Sequence, residues 1–180
     1  MADFQRFFPT LLQHEGGFVD DPVDPGGATN KGITFGTFKE CAQRLLGIAP
    51  TLAALKSLSD TQAAAIYKAL YWDRIRGDDI TLQPLAEIVF DFQVNAGATS
   101  AKLLQQVLND LGARPALAVD GAIGNGSLAA LQASDQRAVY MRFKQKRADY
   151  YRELVVRRPA LQKFLKGWLN RVNSFPDLST

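Results

Sequence analysis

Phe4, Phe7, Phe8, Leu11 and Leu12 stand at the i, i+3, i+4, i+7, i+8 spacing of a single helix face, and the pattern stops at Gly16-Gly17. With Asp3 placed to cap it, the spacing predicts an amphipathic helix that ends at Glu15. Pro9 lies inside the stripe, where it removes one backbone hydrogen bond, so a kink or a later start is expected there. No second helix can follow at once. Residues 20–36, DDPVDPGGATNKGITFG, hold two Asp-Pro steps, one Gly-Gly and two further glycines, which is turn chemistry with room for short strands at most. An irregular segment of that length in a compact domain is often functional.

Beyond residue 36 the helical period returns. Phe38, Cys41 and Leu45 lead to Gly47, and Ser59 with Gln62 forms a capping box ahead of DTQAAAIYKALYW. Pro84 stands at the start of LAEIVFDFQVNAG, and Ser100 opens AKLLQQVLNDLG, where Leu103, Leu104, Val107, Leu108 and Leu111 share one stripe. After the turn-rich VDGAIGNGS, residues 127–133, 135–156 and 160–172 again read as helices. The expected fold class is mostly α, a helical bundle with a long turn-rich loop or short hairpin after the first helix. With 180 residues, 47% of them hydrophobic, the chain suits one globular domain or two small joined ones. The candidate boundary is NAGATS, residues 95–100, taken as a junction within one compact body.

One cysteine, Cys41, excludes an internal disulfide, and with a single histidine, His14, there is no Cys/His set for zinc. No metal and no cofactor are expected. The start, MADFQRFFPTLL, lacks the long apolar run and small-residue cleavage site of a secretory signal. No stretch reaches the roughly 18 uninterrupted apolar residues of a membrane-spanning helix. The expectation is a soluble chain made in the cytoplasm, without membrane insertion, that needs another route to act outside. Net charge is +3 but unevenly placed: from Arg137 onward there are 11 Lys/Arg against 3 Asp/Glu, leaving 10 against 15 before it. Such a region either attracts polyanions or is the solvated face of amphipathic helices. It carries no nucleic-acid motif, and nucleic acid is not an expected partner.

Glu15 falls in the last turn of the first helix, where the macrodipole is negative and carbonyls lack partners. That setting disfavours a carboxylate, and partial burial beside Phe18 would raise its proton affinity further, the condition for a general acid. A second carboxylate, Asp24, comes nine positions later, with Asp20 and Asp21 between and Thr29 and Asn30 just after. Glycosidic cleavage needs one protonated carboxyl for the leaving oxygen and one ionised group that holds a water or stabilises the oxocarbenium-like transition state. Each Asp taken alone also fits plain turn geometry.

HEGGF followed by DPVDPGGATNKGIT resembles the signature of the glycoside hydrolase family 108 muramidases, phage endolysins and secretion-activator proteins, whose usual form is E-G-G-Y and then N-D-P-x-D-P-G-G-x-T-x-x-G-I-T. YWDRIRGDDI at 71–80 and VFDFQVNAG at 89–97 are similar to family segments too, so the resemblance covers most of the chain. It implies an α+β, lysozyme-like fold with the glutamate of E-G-G-Y, here Glu15, as the catalytic acid. Many phage lysozymes carry Glu, eight residues, Asp, five residues, Thr; here Glu15 and Asp24 keep the first interval, whereas Thr29 arrives after four residues and Asn30 follows it. The residue that positions the attacking water is thus open between Thr29 and Asn30. Phe18 replaces the usual Tyr, which keeps the ring and loses a hydroxyl.

Tyr71 and Trp72 are candidates for stacking on pyranose faces, although aromatics at helical spacing also suit a core. Gln93 and Asn95 lie near the end of a helix that the family places beside the cleft, and VNAG resembles the F-N-x-G segment of phage lysozyme clefts. The expected site is therefore catalytic Glu15, Asp24 and Thr29, with Asn30, Tyr71, Trp72, Gln93 and Asn95 binding substrate. Residues 103–132 resemble a peptidoglycan-binding module of the L-Q-x-x-L … V-D-G-x-I-G-x-x-T type, with Ser127 for the customary Thr. A catalytic region over 1–97 and a peptidoglycan-binding-like helical region over 98–175 follow from the resemblance.

The activity so implied is that of an N-acetylmuramidase cutting the β-1,4 bond between N-acetylmuramic acid and N-acetylglucosamine in peptidoglycan glycan strands. Two other readings stay open: a lytic transglycosylase that uses Glu15 alone, first as acid and then as base, and a non-catalytic wall-binding or secretion-assisting protein. Lacking a secretory signal, such an enzyme would reach the cell wall or periplasm through a holin, as a prophage endolysin does, or through a secretion system.

Overall fold

The apolar stripe at the N-terminus forms helix α1 (Phe4–His14), whose cap, Asp3, accepts a hydrogen bond from the Gln5 N–H at 2.9 Å. Phe4, Phe7, Phe8 and Leu11 are buried on its inner face. Pro9 is exposed, as is Gln5, the residue whose carbonyl it cannot serve, so the helix runs through it without interruption. The helix ends where expected: the Glu15 N–H donates to the Leu12 carbonyl at 3.1 Å, and Gly16 takes φ +28°.

The computed structural model describes residues 1–20 and 27–178. It groups into two compact units, one of residues 3–73, the other from Arg74 onward with Met1–Ala2. In the first unit, α1 is followed by a minimal antiparallel hairpin, β1 (Thr29–Asn30) and β2 (Ile33–Thr34), with Thr29 opposite Thr34 and Asn30 opposite Ile33. Lys31 and Gly32 turn it with φ of +51° and +74°, the double positive φ of a type I′ turn. Val19 adds a single bridge to Thr29 through two 2.8 Å hydrogen bonds.

Helix α2 (Phe35–Leu46) starts directly from β2, its cap Thr34 accepting from the Thr37 N–H, and stops at Gly47 with φ +67°. Then come α3 (Leu52–Lys56) and α4 (Asp60–Tyr67), the latter opened by the expected capping box of Ser59 and Gln62. Helix α4 passes into a π-helical turn over Lys68–Trp72. The core of this unit stacks Phe4 on Phe8 at 5.1 Å, Phe8 on Tyr67 at 5.7 Å, and the edge of Trp72 on Phe4 at 5.6 Å.

In the second unit α5 (Gln83–Ala96) is the buried centre: Leu85, Ala86, Ile88, Val89, Phe90 and Phe92 have no exposure. Gly97, at φ +57°, turns the chain into α6 (Ala98–Asp110). Ser100 does not cap that helix; it lies two residues inside, and its hydroxyl donates to the Val89 carbonyl at 2.7 Å. Helices α7 (Asn125–Ala133), α8 (Gln136–Arg157) and α9 (Gln162–Asn173) complete the unit, with starts and ends within two residues of those expected. Asp91, on α5, is fully buried and accepts from Arg147 of α8 at 2.6 Å and from Arg171 of α9 at 2.6 and 3.0 Å. The two guanidinium groups offset the desolvation of that carboxylate and tie three helices together. Among the described residues no helix is long and apolar enough to cross a membrane.

Candidate active site

The end of α1 places Glu15 half-buried against the tip of the hairpin. A Cβ on Gly32 would collide with Glu15 Oε2 and with the Tyr67 hydroxyl, and would stand 2.9 Å from Glu15 Cδ. The glycine thus leaves room for the carboxyl group to lie on the turn. The buried Tyr67, from the last turn of α4, donates its hydroxyl to the Lys31 carbonyl at 3.0 Å and so holds the turn from beneath. On the other side of Gly32's neighbour, the Lys31 ammonium pairs with Asp60 at the start of α4 at 2.5 Å.

Tyr71 lies one turn beyond Tyr67, its ring 5.5 Å away and half-buried. Burial first, then the charge of Glu15, then Cys41, push its phenol above the ordinary value. Tyr71 therefore keeps its proton at neutral pH and offers a donor within the electrostatic reach of Glu15. Lys56 Nζ lies 5.4 Å from the centroid of the Phe18 ring, so that aromatic packs under a cation. A cleft of about 790 Å³ runs between α1 and α4, walled by Phe8, Leu12, Ala64 and Lys68. Gly16, Gly17 and Lys31, next to the Glu15 helix end, also line it.

The other expected residues divide. Asp24 lies outside the described residues. Thr29 is half-buried in β1. Asn30 is corrected: at 5% exposure its amide donates to the Leu55 and Lys56 carbonyls at 2.8 and 3.1 Å, pinning the hairpin to the end of α3. Those bonds use both amide hydrogens, so Asn30 is a structural tie. Trp72 is corrected too, since a ring with no exposure offers no face to a sugar. Gln93 is buried, its Oε1 without a hydrogen-bond donor among the described residues. Asn95 is exposed and donates back to the Asp91 carbonyl at 2.6 Å. Gly32, Lys31 and Tyr67 were not expected; a glycine after a polar residue at a hairpin tip is the signal that marked the turn. Among the described residues no group of three His, Cys, Asp or Glu is placed to hold a metal ion.

The family model described as Glycosyl hydrolase 108 matches residues 8–97, half of the chain. The chain belongs to the glycosyl hydrolase 108 family. Its Glu15, hairpin and Tyr71 all fall within the matched segment. A second model, described as "Predicted Peptidoglycan domain", matches residues 99–173. Among solved structures this glycosyl hydrolase 108 chain is similar to SagA of Brucella abortus, with 32% identity and a TM-score of 0.74 over 96% of this chain and 90% of that one. No curated protein sequence matches. The two family assignments together make the chain a glycoside hydrolase of peptidoglycan with a mostly α, lysozyme-like fold.

In the peptidoglycan-domain segment the L-Q … V-D-G pattern is a lock within the fold. Gln105 donates to Asp120 Oδ1 at 2.8 Å and to the Ala122 carbonyl at 3.0 Å, and accepts from the Gly121 N–H at 2.9 Å. The bond from Gln105, then that from the Ala122 N–H, hold the Asp120 carboxyl below its usual range. Gly121, at φ +83°, packs against Ala98 and Lys102, where a Cβ would meet heavy atoms at 3.2 to 3.3 Å.

Proposed function

We propose that this peptidoglycan hydrolase is an N-acetylmuramidase, cleaving the β-1,4 bond between N-acetylmuramic acid and N-acetylglucosamine with Glu15 as general acid. The observation that carries the reading is the Glu15 carboxyl seated on the Gly32 turn, half-buried, with the hydroxyl of Tyr67 beside it and the neutral phenol of Tyr71 in electrostatic reach. Donation to a leaving oxygen requires a protonated carboxyl placed against the scissile bond, the role proposed for Glu15. Asp24 is the second carboxylate of the proposal, and Thr29 is the polar side chain left to position water once Asn30 is committed to α3. Tyr71 and Asn95, each with exposed surface, are the sugar-binding candidates that remain. Residues 1–97 would carry the chemistry and 98–175 the attachment to peptidoglycan, with a holin or secretion system giving access to the wall.

Digestion of purified peptidoglycan followed by mass spectrometry tests this. Products ending in a reducing N-acetylmuramic acid with one water added are expected. Reducing N-acetylglucosamine ends, or 1,6-anhydro products formed without water, would contradict it.

A further inference from the structure

We propose that the groove between α6 and α8 binds the stem peptide of peptidoglycan, an anionic peptide that also carries an amine; this rests on the reading of the chain as a peptidoglycan hydrolase. The groove has a volume of about 520 Å³. Its α8 wall presents Arg142, Lys146, Asp149, Glu153 and Arg157, spaced three or four residues apart and therefore on one face. Those fifteen steps rise about 22 Å at ~1.5 Å per residue. An extended tetrapeptide covers about 14 Å of that length.

The charge of the groove is mixed, with cations in surplus. Lys146 and Arg142 share one carboxylate, Asp110, at 2.8 and 3.7 Å. Across the groove, on α6, Lys102 is exposed, with the charge of Asp120 within electrostatic reach. Arg157 and Glu153 meet only at 4.0 Å, with both side chains more than 60% exposed. Asp149 is drawn to Arg152 at 2.8 Å, outside the groove lining. Lys102, Arg142 and Lys146 thus form a cationic end that suits carboxylates, and Glu153 marks an anionic stretch that suits an amine. A polyphosphate would be repelled along the second stretch, because uniform negative charge finds Asp149 and Glu153 on the wall. Gln106 adds an amide for peptide backbone, and Leu103 and Tyr150 give apolar surface for small side chains.

Calorimetric titration of the full-length Glu15→Gln protein, which leaves the ligand intact, tests the assignment. The probes are a disaccharide–tetrapeptide, the same disaccharide without its peptide, and duplex DNA. The tetrapeptide-bearing probe is expected to bind at least ten-fold more tightly than either of the others. Lys102→Glu with Arg142→Glu is expected to erase that difference, and Lys102→Ala to reduce it, with thermal unfolding of the Lys102→Ala protein unchanged because that side chain is exposed. Equal binding of the two disaccharides, tighter binding of DNA, or no response to charge reversal would overturn it. Wall hydrolysis by the wild type is scored separately, so absence of cleavage would strike the muramidase reading and leave peptide binding standing.

Discussion

The carboxyl group of Glu15 occupies the space that a side chain on Gly32 would need: its Cδ stands 2.9 Å from the position of a Cβ there. Gly32 also has φ +74°, a backbone conformation that glycine adopts without steric cost. The tip of the hairpin and the end of α1 are therefore fitted to each other, and the fit holds only while residue 32 has no side chain.

Gly32→Ala should displace the Glu15 carboxyl and strain the turn. The expected result is at least a ten-fold loss in release of reducing ends, with a stability cost of about 1–3 kcal/mol for a non-glycine residue forced into that conformation. Wild-type hydrolysis by this variant would mean that the carboxyl does not need its seat on the turn.

Tyr67→Phe removes the donor to the Lys31 carbonyl beneath the turn. The lost bond should cost about 1 kcal/mol, read as a fall in Tm of about 2–4 °C for a chain of this size. An unchanged Tm would show that the hydroxyl contributes nothing to holding the hairpin.

Asp91→Ala should be far more damaging, because Arg147 has no exposure and would be left as an uncompensated buried charge. A loss of about 3–5 kcal/mol is expected in denaturant unfolding. Arg171→Gln should cost less, since the Arg171 side chain keeps 22% exposure and Asp91 retains Arg147.

Alkaline stability should report on Tyr140. Burial, then the charges of Glu87 and Asp177, push its phenol from 10.0 to about 12, while the hydroxyl donates to the Pro176 carbonyl at 2.6 Å. Between those values the phenol of the unfolded chain binds fewer protons than that of the folded one, so the Tyr140 contribution to stability is constant below pH 10 and falls as pH rises toward 12. The Tyr140 share of the alkaline loss should reach about 2 kcal/mol in urea unfolding, and Tyr140→Phe should lose that much less than wild type over the same range. A wild-type profile parallel to that of the variant would contradict this.

What the sequence made legible was local. The α1 stripe, its stop at Gly16 and the Ser59–Gln62 box each depend on residues within a few positions of one another, and each stands where the spacing placed it. The short hairpin was legible as turn chemistry, and Glu15 as a helix-end carboxylate. The seat of Glu15 was not, because Tyr67 reaches the turn from 36 positions beyond Lys31. Asn30 was misread for a related reason: an amide in a polar loop looks available until the α3 carbonyls that bind it are in place. Trp72 is the last residue of a π-helical turn, which changes the phase of the helix without any mark in the apolar spacing.

The central claim is that Glu15 is the proton donor. It is tested most directly by the rate of reducing-end release from purified peptidoglycan by wild type and Glu15→Gln at equal fold content. A loss of about 10²–10⁴-fold is expected, the usual contribution of a positioned general acid. A variant that hydrolyses at the wild-type rate would contradict it.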